Sequence, residues 1–586
     1  MTKPAFYDAL EPFVSLTLAE VSGVSLGQRL ERCLLDVKEI CLAEDEKQTS
    51  NFEFLPESPT GPLRAMWYKR QIAPAWTKDG TIKDVQHHLV LALRRHDHLA
   101  LHVTDSKLKG PIRTALLAQV SKKVPLSWLS PVPRATMSAA FLQNGQAKTL
   151  WLSGIHRRSA TKADAKILAG QDLDYSLDPF DDQSFYWSAA RSRSTSLDLT
   201  VGVSPRASRV WLRKAHSIVE FATDTGQLID AVRGAKKTPN EPFRFLASPL
   251  ESLDPTNVVD AYDVSILPPD MLDDSEVDAA TTNAEAALIL QTNLIAQAAG
   301  KADVAIEVEI NGAVLGTLTL HVEIARDGKV KYKANDVKAS AVNDKSFGQV
   351  KSILVRGIGV NIRYDSGHTV SDRQVYSPRM QRIGFDHHAA EDFSSYNVKL
   401  EKPSSLKRIG QEDSLFCWVQ KTHKGWLACD DGANEKADFI HLDESGPRPV
   451  LSLIHVKGAK SISANRKLSV AAYEVVTGQA IKNLQWLDKE ALAEGLRKTA
   501  RASNYWWKDG KPVPQSAFVA AIDALGDFIG RVVIVQPHVT EAAHQVAVKA
   551  TKGANRLRLD QLNTLLASAW RSTNGLGFEF KVIWSK

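Results

Sequence analysis

The chain has 586 residues, of which 44% are apolar and 24% are charged, and this length and composition predict about two to four folded domains and exclude wholesale disorder. A net charge of +6 permits a polyanionic partner without requiring one, and four scattered cysteines without a C-x-x-C pair are typical of a reducing cytoplasm. No apolar run of about 18 residues and no signal-peptide pattern is present, so we expect a cytoplasmic protein without a membrane span.

The first region, residues 1–270, mixes helix and strand patterns. Apolar residues at helical spacing predict a helix over 25–44, and two apolar runs around a polar turn predict a hairpin over 87–105. The acidic, proline-led segment 268–284 is interpreted as a domain boundary. We therefore predict an α+β N-terminal region that serves recognition or regulation.

The second region, residues 285–400, is predicted to be a β-rich middle domain. Apolar and polar residues alternate over 302–334 around Asn311-Gly312 and Asp327-Gly328. These dipeptides favour tight hairpin turns because their residues tolerate positive φ. The stretch 346–376 is predicted to continue the same antiparallel sheet.

The third region, residues 401–586, is predicted to be a compact mixed α/β domain, so the whole chain is predicted to be a multidomain α/β protein. Short apolar runs predict strands, and longer amphipathic runs predict helices. The predicted strands cover 425–431, 437–443, 450–459, 530–537 and 578–584, and the predicted helices cover 405–421, 467–500, as one or two helices, and 557–572.

An acid, an imidazole and a lysine are expected to converge in this third region. Asp438 precedes one predicted strand, and the next carries His455 and Lys457, which share a face because strand side chains alternate. An acid can bind a divalent cation, and a lysine can stabilise charge that develops on a phosphate. The pattern therefore indicates metal-assisted phosphodiester hydrolysis. A core-edge histidine beside a lysine that reaches solvent is the alternative interpretation.

The arrangement resembles the PD-(D/E)xK nuclease superfamily, in which an acid is followed on the next strand by acid-x-Lys. The resemblance covers residues 401–586 and implies a restriction-endonuclease-like fold, with a central mixed sheet flanked by helices. It implies Asp438 as the principal ligand of Mg²⁺ or Mn²⁺, and Lys457 as the charge-stabilising residue. His455 stands where an acid is usual. It either serves as a ligand or leaves Asp438 to share the ion with another acid and a backbone carbonyl.

Two further positions follow from the same resemblance. An acid that precedes the first strand implies Glu412 as a catalytic residue and metal ligand. The rival acids are Asp430, Asp431 and Glu435. A polar helix after the lysine strand implies Gln479 as a catalytic contributor.

These features predict a metal-dependent endonuclease that hydrolyses DNA, with RNA as an alternative substrate. By analogy with bacterial anti-phage and restriction systems, we expect a separate helicase, ATPase or sensor as partner, because the chain contains no Walker A motif. The main alternative is a catalytically degenerate nucleic-acid-binding or assembly subunit. A third possibility rests on Asp386-His387-His388, which resembles the motif of the DHH phosphoesterases.

Overall fold

A computed structural model describes the chain in three structural regions. The described residues are 3–22, 28–44, 51–58, 61–74, 77, 81–117, 124–143, 145–156, 163–171, 173, 177–178, 181–194, 197–235, 243, 245–267, 279–339, 345–357, 359–377, 382–432, 435–498 and 505–586. They form 13 α-helices and 28 strands, so the chain is a multidomain α/β protein with several antiparallel sheets.

The N-terminal region is built on an 11-stranded antiparallel sheet with a hydrophobic core on each face. Its strands are β1 Phe13–Val21, β2 Asn51–Phe54, β3 Leu63–Ile72, β4 Asp84–Arg95, β5 His98–Val103, β6 Leu129–Pro131, β7 Gly145–Gly154, β8 Ala165–Ala169, β9 Phe185–Ser194, β10 Leu199–Ser204 and β11 Arg209–Lys214. Its helices are α1 Lys3–Asp8, α2 Arg29–Glu44, α3 Ser106–Leu117, α4 Arg134–Phe141 and α5 Ile218–Gly234. The strand order is β2-β3-β4-β5-β1-β11-β10-β9-β7-β8, with β6 paired to β1. The helix predicted over 25–44 is confirmed for Arg29–Glu44, while residues 25–27 lie outside the described residues, and the predicted β4–β5 hairpin is confirmed.

The middle region contains two antiparallel sheets that share one hydrophobic core. Its strands are β12 Ser248–Pro249, β13 Ala261–Ile266, β14 Thr292–Ala298, β15 Val304–Ile310, β16 Ala313–Ile324, β17 Val330–Ala339, β18 Val360–Tyr364, β19 Thr369–Ser371 and β20 Gln374–Ser377. Its helices are α6 Ala279–Gln291 and α7 Lys345–Arg356. The sheet orders are β12-β20-β19-β18-β13 and β14-β15-β16-β17. The predicted hairpin turns are confirmed, with Asn311 at φ 51° and Gly328 at φ 77°.

The division between the first two regions falls earlier in the chain than residue 270. Strand β13 pairs with β18, and Val258, Val264 and Ile266 belong to the core of the middle region. The middle region therefore begins near residue 248. Residues 268–278 of the expected boundary segment lie outside the described residues, and the segment connects two elements of the middle region.

The C-terminal region is built on an eight-stranded mixed sheet. Its strands are β21 His388–Glu391, β22 Trp426–Cys429, β23 Phe439–Asp443, β24 Val450–Val456, β25 Trp506–Lys508, β26 Lys511–Pro512, β27 Ile529–Thr540 and β28 Glu579–Ser585. Its helices are α8 Leu415–Thr422, α9 Ala471–Lys482, α10 Lys489–Lys498, α11 Gln515–Asp523, α12 Glu541–Lys549 and α13 Ala554–Asn574. The strand order is β21-β28-β27-β24-β23-β22-β25-β26.

The sheet has mixed strand directions, and helices on both of its faces give the C-terminal region three layers. The pairs β22–β23 and β23–β24 are antiparallel, whereas the pairs β24–β27, β27–β28 and β28–β21 are parallel. Helices α9–α13 pack on one face, and α8 packs on the other. Strand β21 joins this sheet although it precedes residue 401, so the C-terminal region begins before the predicted boundary.

The middle region contacts both of its neighbours through polar side chains. The Tyr186 hydroxyl donates to a carboxylate oxygen of Asp372 at 2.9 Å, which joins the N-terminal and middle regions. The backbone carbonyl of Asp365 accepts from Arg558 Nε at 2.9 Å, and its carboxylate accepts from Ser469 Oγ at 2.9 Å. The two contacts of Asp365 hold the C-terminal region against the middle region.

Candidate functional site

Asp438 lies where β23 begins and β24 ends. The β23–β24 ladder pairs Phe439 with Ile454, so Asp438 and His455 follow as the next residues of the two strands. The Val456 N–H donates to Asp438 Oδ2 at 2.8 Å, which orients the carboxyl group. Asp438 is 5% exposed, so its carboxylate is held in a buried position.

Two acids of the β22–β23 loop join Asp438. One carboxylate oxygen from each of Asp431, Glu435 and Asp438 lies within 4.8 Å of the other two, and we call these three residues the acidic cluster. Asp430 anchors the loop, because its carboxylate accepts from both the backbone N–H and the ammonium of Lys436. This buried pair is structural, so Asp430 is not a member of the cluster.

Lys457 follows β24 and meets an acid that comes from before α8. Lys457 Nζ lies 2.8 Å from Glu401 Oε2, which also accepts from the Gly458 N–H at 3.3 Å. A Cβ at Gly458 would lie 2.7 Å from the carbonyl oxygen of Lys399, so glycine permits this close approach. The 399–401 segment therefore places Glu401 beside the lysine strand.

A second lysine reaches the acidic cluster. Lys402 Nζ lies 2.6 Å from Asp431 Oδ1 and 3.9 Å from Glu401 Oε1. Partial burial acts to lower the pKa of Lys402. The hydrogen bond and charge of Asp431, with the charges of Glu401 and Asp438, outweigh this effect, so the pKa is raised. The ammonium therefore stays protonated among the acids.

Charge in the site is unbalanced when every group is ionised. Four carboxylates, those of Glu401, Asp431, Glu435 and Asp438, face the two ammonium groups of Lys402 and Lys457. Burial, together with neighbouring carboxylates, raises the pKa of Asp438 well above its usual range, although the Val456 N–H opposes this effect. Burial also raises the pKa of Glu435. A divalent cation would balance the two excess negative charges, and three carboxylates form an oxygen donor set that suits Mg²⁺ or Mn²⁺.

His455 occupies a different environment from the one expected of a metal ligand. It is fully buried, and neither ring nitrogen has a hydrogen-bond partner. Leu451 and Leu453 of the same strand pack in the core that α9 covers, and strand alternation places His455 on that face. Burial lowers the pKa of His455 to about 4, so the ring is neutral at physiological pH.

Replacing His455 by leucine is expected to reduce the sensitivity of the fold to acid. The unfolded chain binds a proton at His455 near the ordinary pKa of 6.5, whereas the folded chain does so only near about 4. Folding stability is therefore lost as pH falls through this range, by about 1.4 kcal/mol per pH unit. Thermal melting of both proteins at several pH values measures the difference. An unchanged pH dependence in His455→Leu would show that this ring does not titrate on unfolding.

The structure does not include Glu412 in the acidic cluster, and it places Gln479 on α9. Glu412 accepts from the backbone and hydroxyl of Ser404 and pairs with Arg408 at 2.8 Å. Gln479 is half-buried on α9. Of the residues expected from sequence, the structure thus brings together Asp438, Lys457 and two of the rival acids.

Glu401 and Lys402 were not predicted from the sequence as site residues. Both lie in an irregular segment that no periodicity identifies, and their partners lie far along the chain. The nearest signal in the sequence was that Glu401 and Lys402, an acidic and a basic residue, are adjacent and precede the first predicted strand of the third region. Hydrogen bonds from the N–H groups of Leu415 and Phe416 to the carbonyls of Leu400 and Glu401 tie this segment to α8.

The Asp386-His387-His388 triplet forms part of an aromatic contact network. His388 begins β21 and lies 3.9 Å, between ring centroids, from Trp584, and His387 stacks on Trp570 at 4.9 Å. Among the described residues, the acidic cluster is the one group whose ligand atoms lie close enough to share a metal ion. The triplet therefore has a packing role in the structure.

Comparisons of the chain with protein-family models, with curated proteins and with solved structures found no match. None of the helices in the described part of the chain combines the length and apolar character needed to cross a lipid bilayer.

Proposed function

We propose that the chain is a metal-dependent nuclease that hydrolyses DNA phosphodiester bonds at the acidic cluster. The observation that carries this proposal is the set of four carboxylates beside two lysines where β23 begins and β24 ends. The mixed sheet with helices on both faces is consistent with a restriction-endonuclease-like fold. The proposal includes a separate helicase, ATPase or sensor as partner.

The residues have distinct parts in this mechanism. Asp431, Glu435 and Asp438 would hold Mg²⁺ or Mn²⁺, which supplies Lewis-acid polarisation of a phosphate oxygen and activation of water. Lys457 donates to a phosphate oxygen on which negative charge develops. Glu401 orients the Lys457 side chain through the 2.8 Å contact.

One observation favours a catalytically degenerate nucleic-acid-binding subunit. The strand that carries Lys457 supplies His455 in place of an acid, and this ring points into the core without a polar partner. The site then depends on loop acids, Asp431 and Glu435, for its remaining carboxylates.

Metal-dependent cleavage of nucleic acid tests the proposal. We expect the full chain to cleave DNA with Mg²⁺ or Mn²⁺ and to lose this activity in EDTA, with RNA as the parallel substrate. Electron paramagnetic resonance of free Mn²⁺ measures metal binding separately. Cleavage that persists in EDTA would contradict the proposal, and nucleic-acid binding without Mn²⁺ binding or cleavage would support the degenerate subunit.

A further inference from the structure

We propose that the Lys402 ammonium is the resident counter-ion of the acidic cluster, and that a divalent cation binds by displacing it. Lys402 would then set the metal affinity of the site. This inference rests on the proposed function, because it concerns the same acids.

The position of the ammonium supports a direct competition. Lys402 Nζ contacts Asp431 Oδ1 at 2.6 Å, and Asp431 is one of the three acids of the cluster. A lysine ammonium is a donor without a lone pair, so it cannot be a metal ligand. A cation that takes Asp431 as a ligand therefore has to compete with Lys402 for the same carboxylate.

The exposure of Lys402 makes the exchange possible. Its side chain is 42% exposed, whereas the Lys436 side chain, which pairs with Asp430 in the same loop, is 3% exposed. Lys402 can move its ammonium into water when a cation arrives, but Lys436 would have to leave the core. The acids of the β22–β23 loop thus pair with one exchangeable lysine, Lys402, which comes from the segment before α8, and with one structural lysine, Lys436.

The surroundings of Lys402 allow this movement without disturbing the rest of the site. The backbone immediately before Lys402 is held by α8, through the bonds from the N–H groups of Leu415 and Phe416 to the carbonyls of Leu400 and Glu401. Glu401 keeps its separate contact with Lys457. The ammonium keeps its proton throughout, so the exchange breaks the 2.6 Å ion pair with Asp431 and the longer 3.9 Å contact with Glu401 and requires no proton transfer.

A Mn²⁺ titration of the full chain tests the inference. In Lys402→Gln we expect the dissociation constant for Mn²⁺ to fall by roughly fivefold, the factor that a partly exposed ion pair of about 1 kcal/mol represents. Lys402→Arg retains the cation and is expected to bind Mn²⁺ no more tightly than wild type. The matched control is Lys407→Gln, which removes the same charge from an exposed position of the same segment.

The outcomes separate this inference from the proposed function. An unchanged or weaker affinity in Lys402→Gln, or an equal gain in Lys407→Gln, overturns the inference while Mn²⁺ binding by wild type still supports the acidic cluster. Absence of Mn²⁺ binding in wild type and in Lys402→Gln overturns both. If melting shows that Lys402→Gln is destabilised, Lys402→Ala provides a second measurement with the same expected gain.

Discussion

Replacing Lys457 by alanine is expected to abolish metal-dependent cleavage while leaving the domain folded. The variant removes the ammonium that would stabilise charge on the phosphate, and loss of one such group costs about a hundredfold to a thousandfold in turnover. The side chain is 41% exposed, and its pair with Glu401 contributes little to stability. Cleavage of a labelled DNA duplex and thermal melting measure the two effects.

Lys498→Ala is the matched control for this variant. Lys498 pairs with Glu494 at 2.6 Å on the exposed face of α10, so it loses an equivalent ion pair away from the acidic cluster. We expect its cleavage rate to equal that of wild type. A Lys457→Ala chain that cleaves DNA as well as wild type in Mg²⁺ or Mn²⁺ would contradict the assignment.

Replacing Asp438 by asparagine is expected to weaken Mn²⁺ binding by at least about a hundredfold, and to raise the melting temperature of the metal-free protein. The buried carboxylate is a metal ligand in the proposal, and asparagine can still accept from the Val456 N–H. Without metal, the ionised carboxylate is destabilising because burial and neighbouring acids raise its pKa. Mn²⁺ titration and melting in EDTA measure the two opposite changes.

The sign of the pH dependence adds a further check on Asp438. The folded metal-free chain binds a proton at this carboxyl more readily than the unfolded chain does. Its contribution to stability is therefore greatest at low pH and declines as pH rises through the raised folded pKa. Asp443→Asn, at the other end of β23, is the control, because Ser445 holds the pKa of Asp443 low. Equal Mn²⁺ affinities in Asp438→Asn and wild type would exclude Asp438 as a ligand.

Much of the C-terminal region could be predicted from local sequence. The apolar runs before His455 and after Asp438 correspond to β24 and β23, because buried strands have a short, continuous apolar signal. The helix predicted over 405–421 is shorter in the structure. Gly410 adopts φ 88°, and the Ser414 hydroxyl caps a helix that begins only at Leu415.

The stretch 346–376, predicted to continue the β14–β17 sheet, begins with a helix, and its strands β18, β19 and β20 join the other sheet of the middle region. Helix α7 buries Phe347, Val350, Ile353 and Leu354, whose spacing follows the helical period. The stretch was interpreted as an extension of the preceding alternating pattern, whereas these four side chains pack in the core of the middle region from one face of a helix.

The residues of the candidate site could be predicted only where they lie at the ends of strands. Asp438 and Lys457 were identified because strand register brings the start of β23 to the end of β24. Glu401 could not be identified, because its contact with Lys457 depends on the close packing of an irregular segment at Gly458. No periodicity encodes a contact between a loop and a strand end.

The pairing of β21 with β28 determines how an isolated C-terminal fragment should be cut. A fragment that begins at residue 401 would lack β21 and expose the edge of β28, including Trp584, which His388 otherwise covers. An open edge of this kind recruits strands from other molecules and leads to aggregation. A fragment that begins near residue 382 would retain its own edge strand, so we expect it to be the soluble version for metal-binding and cleavage assays.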